Sequence, residues 1–207
     1  FDALAARLDL GVLNWVGYLS TTGVYGDHKG AWIDEETPPG PLGARGQRRA
    51  AAEQRWSEFG NAHGLSVQHF RLAGIYGPQR NALAALRAGK ARRILKPGQV
   101  FSRIHVDDIA NILFAALHSD IGTRNFSVCD DEPAPPADIV AYAAALLGVD
   151  SPPSQNFEDA DLSEMARSFY EENKRIRNDR IKTELGVTLS YPTYREGLTA
   201  LFKNGAF

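Results

Sequence analysis

The sequence predicts an α/β protein: part of a doubly wound parallel sheet with a smaller, helix-rich C-terminal lobe. Three observations lead there. Short apolar, β-rich runs alternate with helical patterns of about a dozen residues or more, the spacing that parallel β-α-β units require. Glycine and proline punctuate the junctions, at Gly64, at Gly74-Ile-Tyr-Gly-Pro78 and at Gly148. Beyond Gly148 a Pro-rich linker leads into two or three polar helical segments that end near Phe202.

Residues 2–10 carry an amphipathic helical pattern. Trp15 to Leu19 is a short apolar strand running into the hydroxyl-rich turn Ser20-Thr21-Thr22-Gly23. Gly30 to Gly43 is a Pro- and Gly-rich loop that holds Asp34-Glu35-Glu36. Arg45 to Ala62 reads as one helix with an Ala-rich face, which Gly64 breaks. Leu65 to Leu72 alternates and is β-rich, a second strand; Gly74 to Pro78 then turns the chain. Ala82 to Ala88 is helical, and Ala91 to Val100 is loop with a short strand. Val106 to His118 is a helix with Asp107 or Asp108 as its cap. Asn125 to Val128 is a third strand and Pro135 to Leu147 a further helix.

The 207 residues are 43% hydrophobic and 23% charged, enough apolar content for a sizeable core. A formal net charge of -2 gives no electrostatic reason to expect nucleic acid. The basic stretches Arg45–Arg49 and Arg87–Lys96 are local and lack interleaved aromatics. Cys129 is the single cysteine, so no intrachain disulfide forms; a cytoplasmic, reducing setting is expected. No apolar run approaches a membrane span, and no signal-peptide pattern stands at the start.

The five histidines show no zinc-binding spacing, so no metal is indicated. His105 reads as a packed or capping residue. Cys129-Asp-Asp-Glu132 reads as a turn after a buried strand. No G-x-S-x-G elbow exists, which disfavours an α/β-hydrolase.

Five pieces in order carry a resemblance: Ser20-Thr-Thr-Gly-Val-Tyr-Gly26, Ala51-Ala52-Glu53, Arg71-Leu-Ala-Gly-Ile-Tyr-Gly-Pro78, Ile104-His-Val-Asp-Asp-Ile-Ala110 and Glu184-Leu-Gly186. In this the chain resembles the extended short-chain dehydrogenase/reductase family, the NAD-dependent epimerases and dehydratases. The resemblance implies a Rossmann-type dinucleotide fold with NAD or NADP as cofactor. Residues 1–78 and 104–130 would form the C-terminal part of the cofactor domain. Residues 79–103 and 131–207 would form a substrate-binding lobe. The family's glycine-rich phosphate turn is not among these residues, and the sequence opens on Phe1 in mid-pattern. The N-terminal part of the domain is therefore expected to lie outside them.

The resemblance also assigns roles. Thr21 matches the strand-end residue that holds a reacting hydroxyl, a catalytic position. Ser20, Thr22, Arg49, Ala73, Gly74, Ile75 and Tyr76 are expected along the cofactor. Arg103, Arg167, Tyr170, Asn173 and Lys174 are expected around the substrate, since cationic donors suit phosphate oxygens. For Ser20 to Thr22 a second reading stays open: the hydroxyls satisfy backbone groups in a strand-to-loop turn. The helix containing Arg45 to Ala62 corresponds to one that pairs in family homodimers, and its small residues permit close approach.

Departures from the family pattern are equally specific. The tyrosine and lysine of the redox pair fall at Arg45 and Arg49. A guanidinium stays protonated at ordinary pH and cannot act as a general base. The dehydratases' Asp-Glu pair falls at Thr22 and Gly23. Phe101 stands where an arginine is common, and Gly74 where an asparagine is. Tyr170-Glu-Glu-Asn-Lys174 satisfies Y-x-x-x-K, far from the expected place. Two functions follow: an NAD(P)-dependent epimerase- or dehydratase-like oxidoreductase of a sugar nucleotide or related polar metabolite, with atypical catalytic residues, or a non-catalytic dinucleotide-binding or sensing protein.

Overall fold

The computed structural model describes residues 5–207. In chain order the strands are β1 (Trp15–Thr21), β2 (Trp32–Ile33), β3 (Ser66–Leu72), β4 (Gly74–Tyr76), β5 (Arg93–Leu95), β6 (Arg103–His105), β7 (Arg124–Val128), β8 (Ser154–Asn156) and β9 (Arg175–Ile176). The helices are α1 (Ala44–His63), α2 (Ala82–Arg87), α3 (Val106–Leu117), α4 (Pro136–Leu147), α5 (Glu164–Ser168), α6 (Asp179–Thr183) and α7 (Tyr194–Lys203). The main sheet is parallel, in the order β1-β3-β7. Three two-stranded parallel ribbons surround it: β2 with β9, β4 with β6, and β5 with β8.

Alternation along β3 sorts its side chains to two faces. Phe70 and Leu72 enter a core with Ile109, Ile112 and Ala116 of α3, Phe126 and Val128 of β7, and Ile181 of α6. Phe70 and Phe126 stack at 5.6 Å between ring centres, and burying each contributes roughly 1.5–3 kcal/mol. Val67 and Arg71 face the other way, toward α1. Gly60 of α1 lies so near β3 that a Cβ there would stand 2.3 Å from Val67 Cγ2.

Arg71 is buried between apolar neighbours, so its charge must be paired. Glu53 of α1 does this. Arg71 Nε lies 3.2 and 3.3 Å from the two Glu53 oxygens, and Nη2 lies 2.8 Å from Oε2. Ser20 of β1 donates its hydroxyl to the same carboxylate. Arg71 also lies over the Tyr25 ring, at 4.7 Å, and the Tyr25 hydroxyl meets Ser127 Oγ at 2.9 Å. Ser127 N–H donates to Glu35 at 2.7 Å, so the acidic loop closes the outer edge of β7. One polar chain thus crosses the sheet from α1 to the loop.

A second core joins Tyr76, Leu83 of α2, Ile139 and Ala143 of α4, and Tyr194, Leu198 and Leu201 of α7. It meets the main sheet at Asp130, whose N–H donates to Arg103 O at 2.6 Å. The Asp130 side chain is 1% exposed, and neither carboxyl oxygen has a protein partner in hydrogen-bonding geometry. Burial pushes its pKa up to about 8, opposed chiefly by the positive charge of Arg103.

Several expectations need correction. Of the N-terminal helical pattern, residues 2–4 lie outside the described residues and Ala5 is helical, but the pattern does not continue as helix to residue 10: turns and a bend follow, with Asp9 accepting from Gly11 N–H. Gly74 to Tyr76 does not turn; it forms β4, because β6 offers it a partner, and the turn begins at Gly77. His105, not an aspartate, caps α3: its Nδ1 accepts from Asp107 N–H at 3.2 Å. Asp108 is drawn inward instead and holds the Ser190 and Tyr191 amides at 2.7 and 3.0 Å. The last helix, α7, is amphipathic, not polar, and buries Tyr194, Leu198 and Leu201. Among the described residues no helix is long and apolar enough to cross a membrane.

Two outcomes follow. Glu53→Gln or Arg71→Met leaves a buried charge unpaired and should cost about 3–5 kcal/mol in urea unfolding. The double variant Glu53→Leu/Arg71→Met should lose much less than the sum, because both charges go together. Additive losses would show that the two groups do not act as a pair. The second concerns Asp130. Its folded pKa lies above the unfolded value, so the native state holds the proton longer. Its stabilising contribution is full below about pH 4 and is lost as pH rises toward 8. The stability of Asp130→Asn relative to the natural protein should therefore rise between pH 5 and pH 8.5, by on the order of 2 kcal/mol or more. A constant gap across that range would refute the assignment.

Candidate functional site

The carboxyl ends of the main strands stand in register: Thr21 opposite Leu72, and Leu72 opposite Val128. Open sheets of this type receive ligands just outside these ends. Thr21 has extended backbone and caps the 3-10 turn Thr22–Tyr25, its Oγ1 accepting from Gly23 N–H at 3.2 Å. That bond uses a lone pair and leaves the hydroxyl proton free for a ligand. Thr22 is half-buried in the same turn. Ser20 is buried and serves Glu53. The three consecutive hydroxyls thus have different surroundings.

The first turn of α1 lies directly against the 3-10 turn. A Cβ at Gly46 would stand 2.8 Å from Gly23 O, so only glycine allows this approach. It brings Arg45 beside the strand end, where its guanidinium lies 5.8 Å from the Phe169 ring centre. Arg49, one turn later, donates to Leu19 O and lies over the Tyr18 ring at 5.1 Å. Its charge braces β1.

The Ala73–Tyr76 group is divided by the fold. Ala73 N–H donates to Val128 O at 3.0 Å and Gly74 N–H to Ser102 O at 3.1 Å; Gly74 itself is exposed. Ile75 packs on the main core. Tyr76 points into the second core, edge-on to His105 at 5.1 Å, with its hydroxyl buried and lacking a protein partner. Burial, then the nearby Asp130 charge, holds the Tyr76 pKa far above the usual phenol value. Burial also lowers the His105 pKa, against the opposing influence of Asp107 and Asp108.

The other expected contacts come from the region around β6, α5 and β9. Arg103 Nη1 donates to Phe101 O at 2.8 Å and Ala134 O at 3.1 Å, and burial lowers its pKa against the pull of Asp130. Arg167 donates to Ala160 O at 2.9 Å and lies over Phe157. Tyr170 is buried edge-on to Phe101. Asn173 bonds Gly98 O, the Val100 amide and Asp27 Oδ1. Lys174 donates to Gly26 O at 2.7 Å and to Glu172. These side chains knit the segment 169–175 to the loops at 26–30 and 96–103. Tyr170 and Lys174 engage different neighbours and form no redox-type pair with each other.

Sequence reasoning missed Glu53, Arg71, Asp108 and Asp130. A signal existed for one of them. Arg71 sits at an alternating position of a β-rich run, where a charge demands a buried partner. Nothing in the sequence says which acid supplies it.

Residues 4–129 match the NAD dependent epimerase/dehydratase family. Protein YeeZ of Escherichia coli strain K12 is 31% identical over 177 residues, covering 84% of this chain and 58% of the relative. A 3-diazoavenalumate denitrifying reductase from Streptomyces sp is 31% identical over 181 residues, covering 80% and 58%. The chain thus spans 58% of the length of these curated relatives. A solved structure of a functionally unknown conserved protein from Silicibacter pomeroyi DSS superposes with a TM-score of 0.90 at 56% identity, covering all of this chain and 71% of that one. By the extent of the family match, which covers more than half of its residues, the chain belongs to the NAD-dependent epimerase/dehydratase family.

Proposed function

We propose that the full-length protein is an NAD(P)-dependent oxidoreductase of a polar metabolite, working without the family's tyrosine. The observation that carries this reading is the strand end itself. Thr21 has no acceptor for its hydroxyl proton among the described residues at the carboxyl end of β1, and by the family resemblance Arg45 and Arg49 would fall at the places of the redox pair. When bound, the cofactor would supply or accept the hydride. Thr21, Thr22 and the exposed Gly74 suit the nicotinamide end of a dinucleotide. Among the described residues no glycine-rich turn links a strand directly to a helix N-terminus, so these residues do not provide the pyrophosphate cradle.

Thr21 would hold a substrate oxygen by donating its hydroxyl. Arg49 would keep β1 in place beneath it. No proton leaves Arg45, which contributes positive charge only. The Streptomyces relative is named for a reduction. A hydride acceptor that develops no oxyanion, and so needs no proton delivered to oxygen, would make the tyrosine dispensable; with a carbonyl acceptor the proton would have to come from water. The fixed charge at Arg45 also favours a second reading, a non-catalytic dinucleotide-binding or sensing protein. A cytoplasmic setting suits either, since the Cys129 thiol is buried and donates to Ile176 O.

Isothermal titration of the full-length protein with NAD, NADH, NADP and NADPH tests the cofactor. Binding of at least one is expected, and silence with all four would sink the reading. The 207 residues alone should bind far more weakly. If turnover is found, Tyr25→Phe and Tyr76→Phe should each keep it within about tenfold, because loss of a general base costs roughly a hundredfold or more. Both hydroxyls are buried and held above the usual phenol pKa, chiefly by burial. A larger loss in a folded, cofactor-binding variant would mark that tyrosine as the base.

A further inference from the structure

We infer that an internal hydration site lies at the seam between the main sheet and the second core, where bound water joins the Asp130 carboxyl, the Tyr76 hydroxyl and the ring nitrogen Nε2 of His105. The site stands apart from the proposed oxidoreductase chemistry and does not depend on it. Its first support is placement. β4 and β6 run in register, with Ile75 opposite Ile104 and Tyr76 opposite His105. Alternation sends the two isoleucines toward the main core and turns Tyr76 into the second. The Tyr76 and His105 rings meet edge-on at 5.1 Å. Asp130 reaches the same seam from the end of β7, where its N–H donates to Arg103 O of β6 at 2.6 Å. Asp130 is 1% exposed, His105 2% and Tyr76 8%, so bulk solvent serves none of them.

The second support is the hydrogen-bond inventory. His105 Nδ1 accepts from Asp107 N–H at 3.2 Å, so the neutral ring carries its proton on Nε2. That N–H, the Tyr76 hydroxyl and both Asp130 oxygens are buried without a protein partner. The charged neighbours are engaged elsewhere. Arg103 directs Nη1 to Phe101 O and Ala134 O, Asp131 binds Asn178 and Lys182, Asp108 holds the Ser190 and Tyr191 amides, and Glu196 closes on Thr193. Unmet donors and unmet acceptors therefore share one seam. Water supplies both roles, and a buried water typically makes about three bonds to such groups. The positive charge of Arg103, the chief influence opposing burial at Asp130, disfavours a metal ion in its place. Gly197 of α7 closes the far side, since a Cβ there would stand 2.0 Å from the Tyr76 hydroxyl oxygen. The bound water also donates to the ionised carboxylate and so eases the loss of the Asp130 proton.

The test uses the full-length protein. In its crystal structure an ordered water should stand within about 3.2 Å of at least two of the three groups. Direct bonds among the three, or no ordered atom between them, would overturn the site. In solution, carbon-13 NMR follows the Asp130 carboxyl against pH, with the resonance assigned by its loss in Asp130→Asn. Tyr76→Phe removes a group that orients the water and should tighten the hold of Asp130 on its proton by about threefold or more. An unchanged titration midpoint, in a variant whose melting curve shows it folded, would also overturn the site. The crystal structure needs no variant, so it decides the matter even where Tyr76→Phe does not fold.

Discussion

Arg71 cannot be buried in the middle of a parallel sheet unless something neutralises it, and Glu53 is placed to do so. Much of the carboxyl end of the sheet is arranged around that need. Glu53 must reach β3, so α1 must lie close, and Gly60 and Gly46 allow the approach at its two ends. Ser20 fills a remaining acceptor of the carboxylate, which fixes the last turn of β1. The Arg71 face rests on Tyr25, and Tyr25 reaches Ser127. Each partner belongs to a different segment, so one ion pair ties the helix, all three main strands and the acidic loop together. Buried pairs of this kind add little net stability over an apolar substitute. Their effect is to demand one arrangement of many segments at once.

The same pair clarifies why hydroxyls cluster at the mouth of β1. Strand alternation turns Ser20 inward, where it serves the ion pair, and Thr21 to the turn that follows. Of the two readings left open by the sequence, Thr21 meets the second, accepting from a backbone amide in the turn, and Ser20 meets neither, because it serves a carboxylate. Ser20 has the structural task of holding a carboxylate. Thr21 satisfies a backbone amide with its oxygen and still has a proton to give. A single residue type can meet both demands because a hydroxyl accepts and donates independently.

The alternation of strands and helices was legible because it depends on local periodicity and on glycine and proline. The main strands and long helices accordingly lie within a few residues of where the pattern puts them. The short ribbons were not legible. Gly74 to Tyr76 becomes a strand only because β6, 29 residues further on, pairs with it. His105 takes the cap of α3 because Asp108 is recruited by the backbone before α7, more than eighty residues away. Site residues divide the same way. Thr21 could be placed by its motif, since a strand end is a local feature. The partners of Arg103, Asn173 and Lys174 are carbonyls and carboxylates from distant loops, and no spacing rule reveals them. Asp130 looked like a turn residue because its chain neighbours are acidic. Its unusual state comes from burial, which the positive charge of Arg103 offsets only in part.

An arginine at position 45, where the family resemblance puts a tyrosine, would change more than the proton chemistry. A phenol in that place would be a small neutral group whose acidity needs a neighbouring cation to lower it. Arg49 stands at the cation's place, but it is turned onto β1 and bonded to Leu19 O. The two changes are mutually consistent. Once the acid–base group is gone, the second cation has no proton to tune and is available as a brace. Arg45 itself cannot be neutralised, so its charge must be balanced by water or by a ligand. Water is the cheaper partner for an exposed guanidinium. By the family correspondence, a position suited to proton transfer would thereby carry a permanent positive charge.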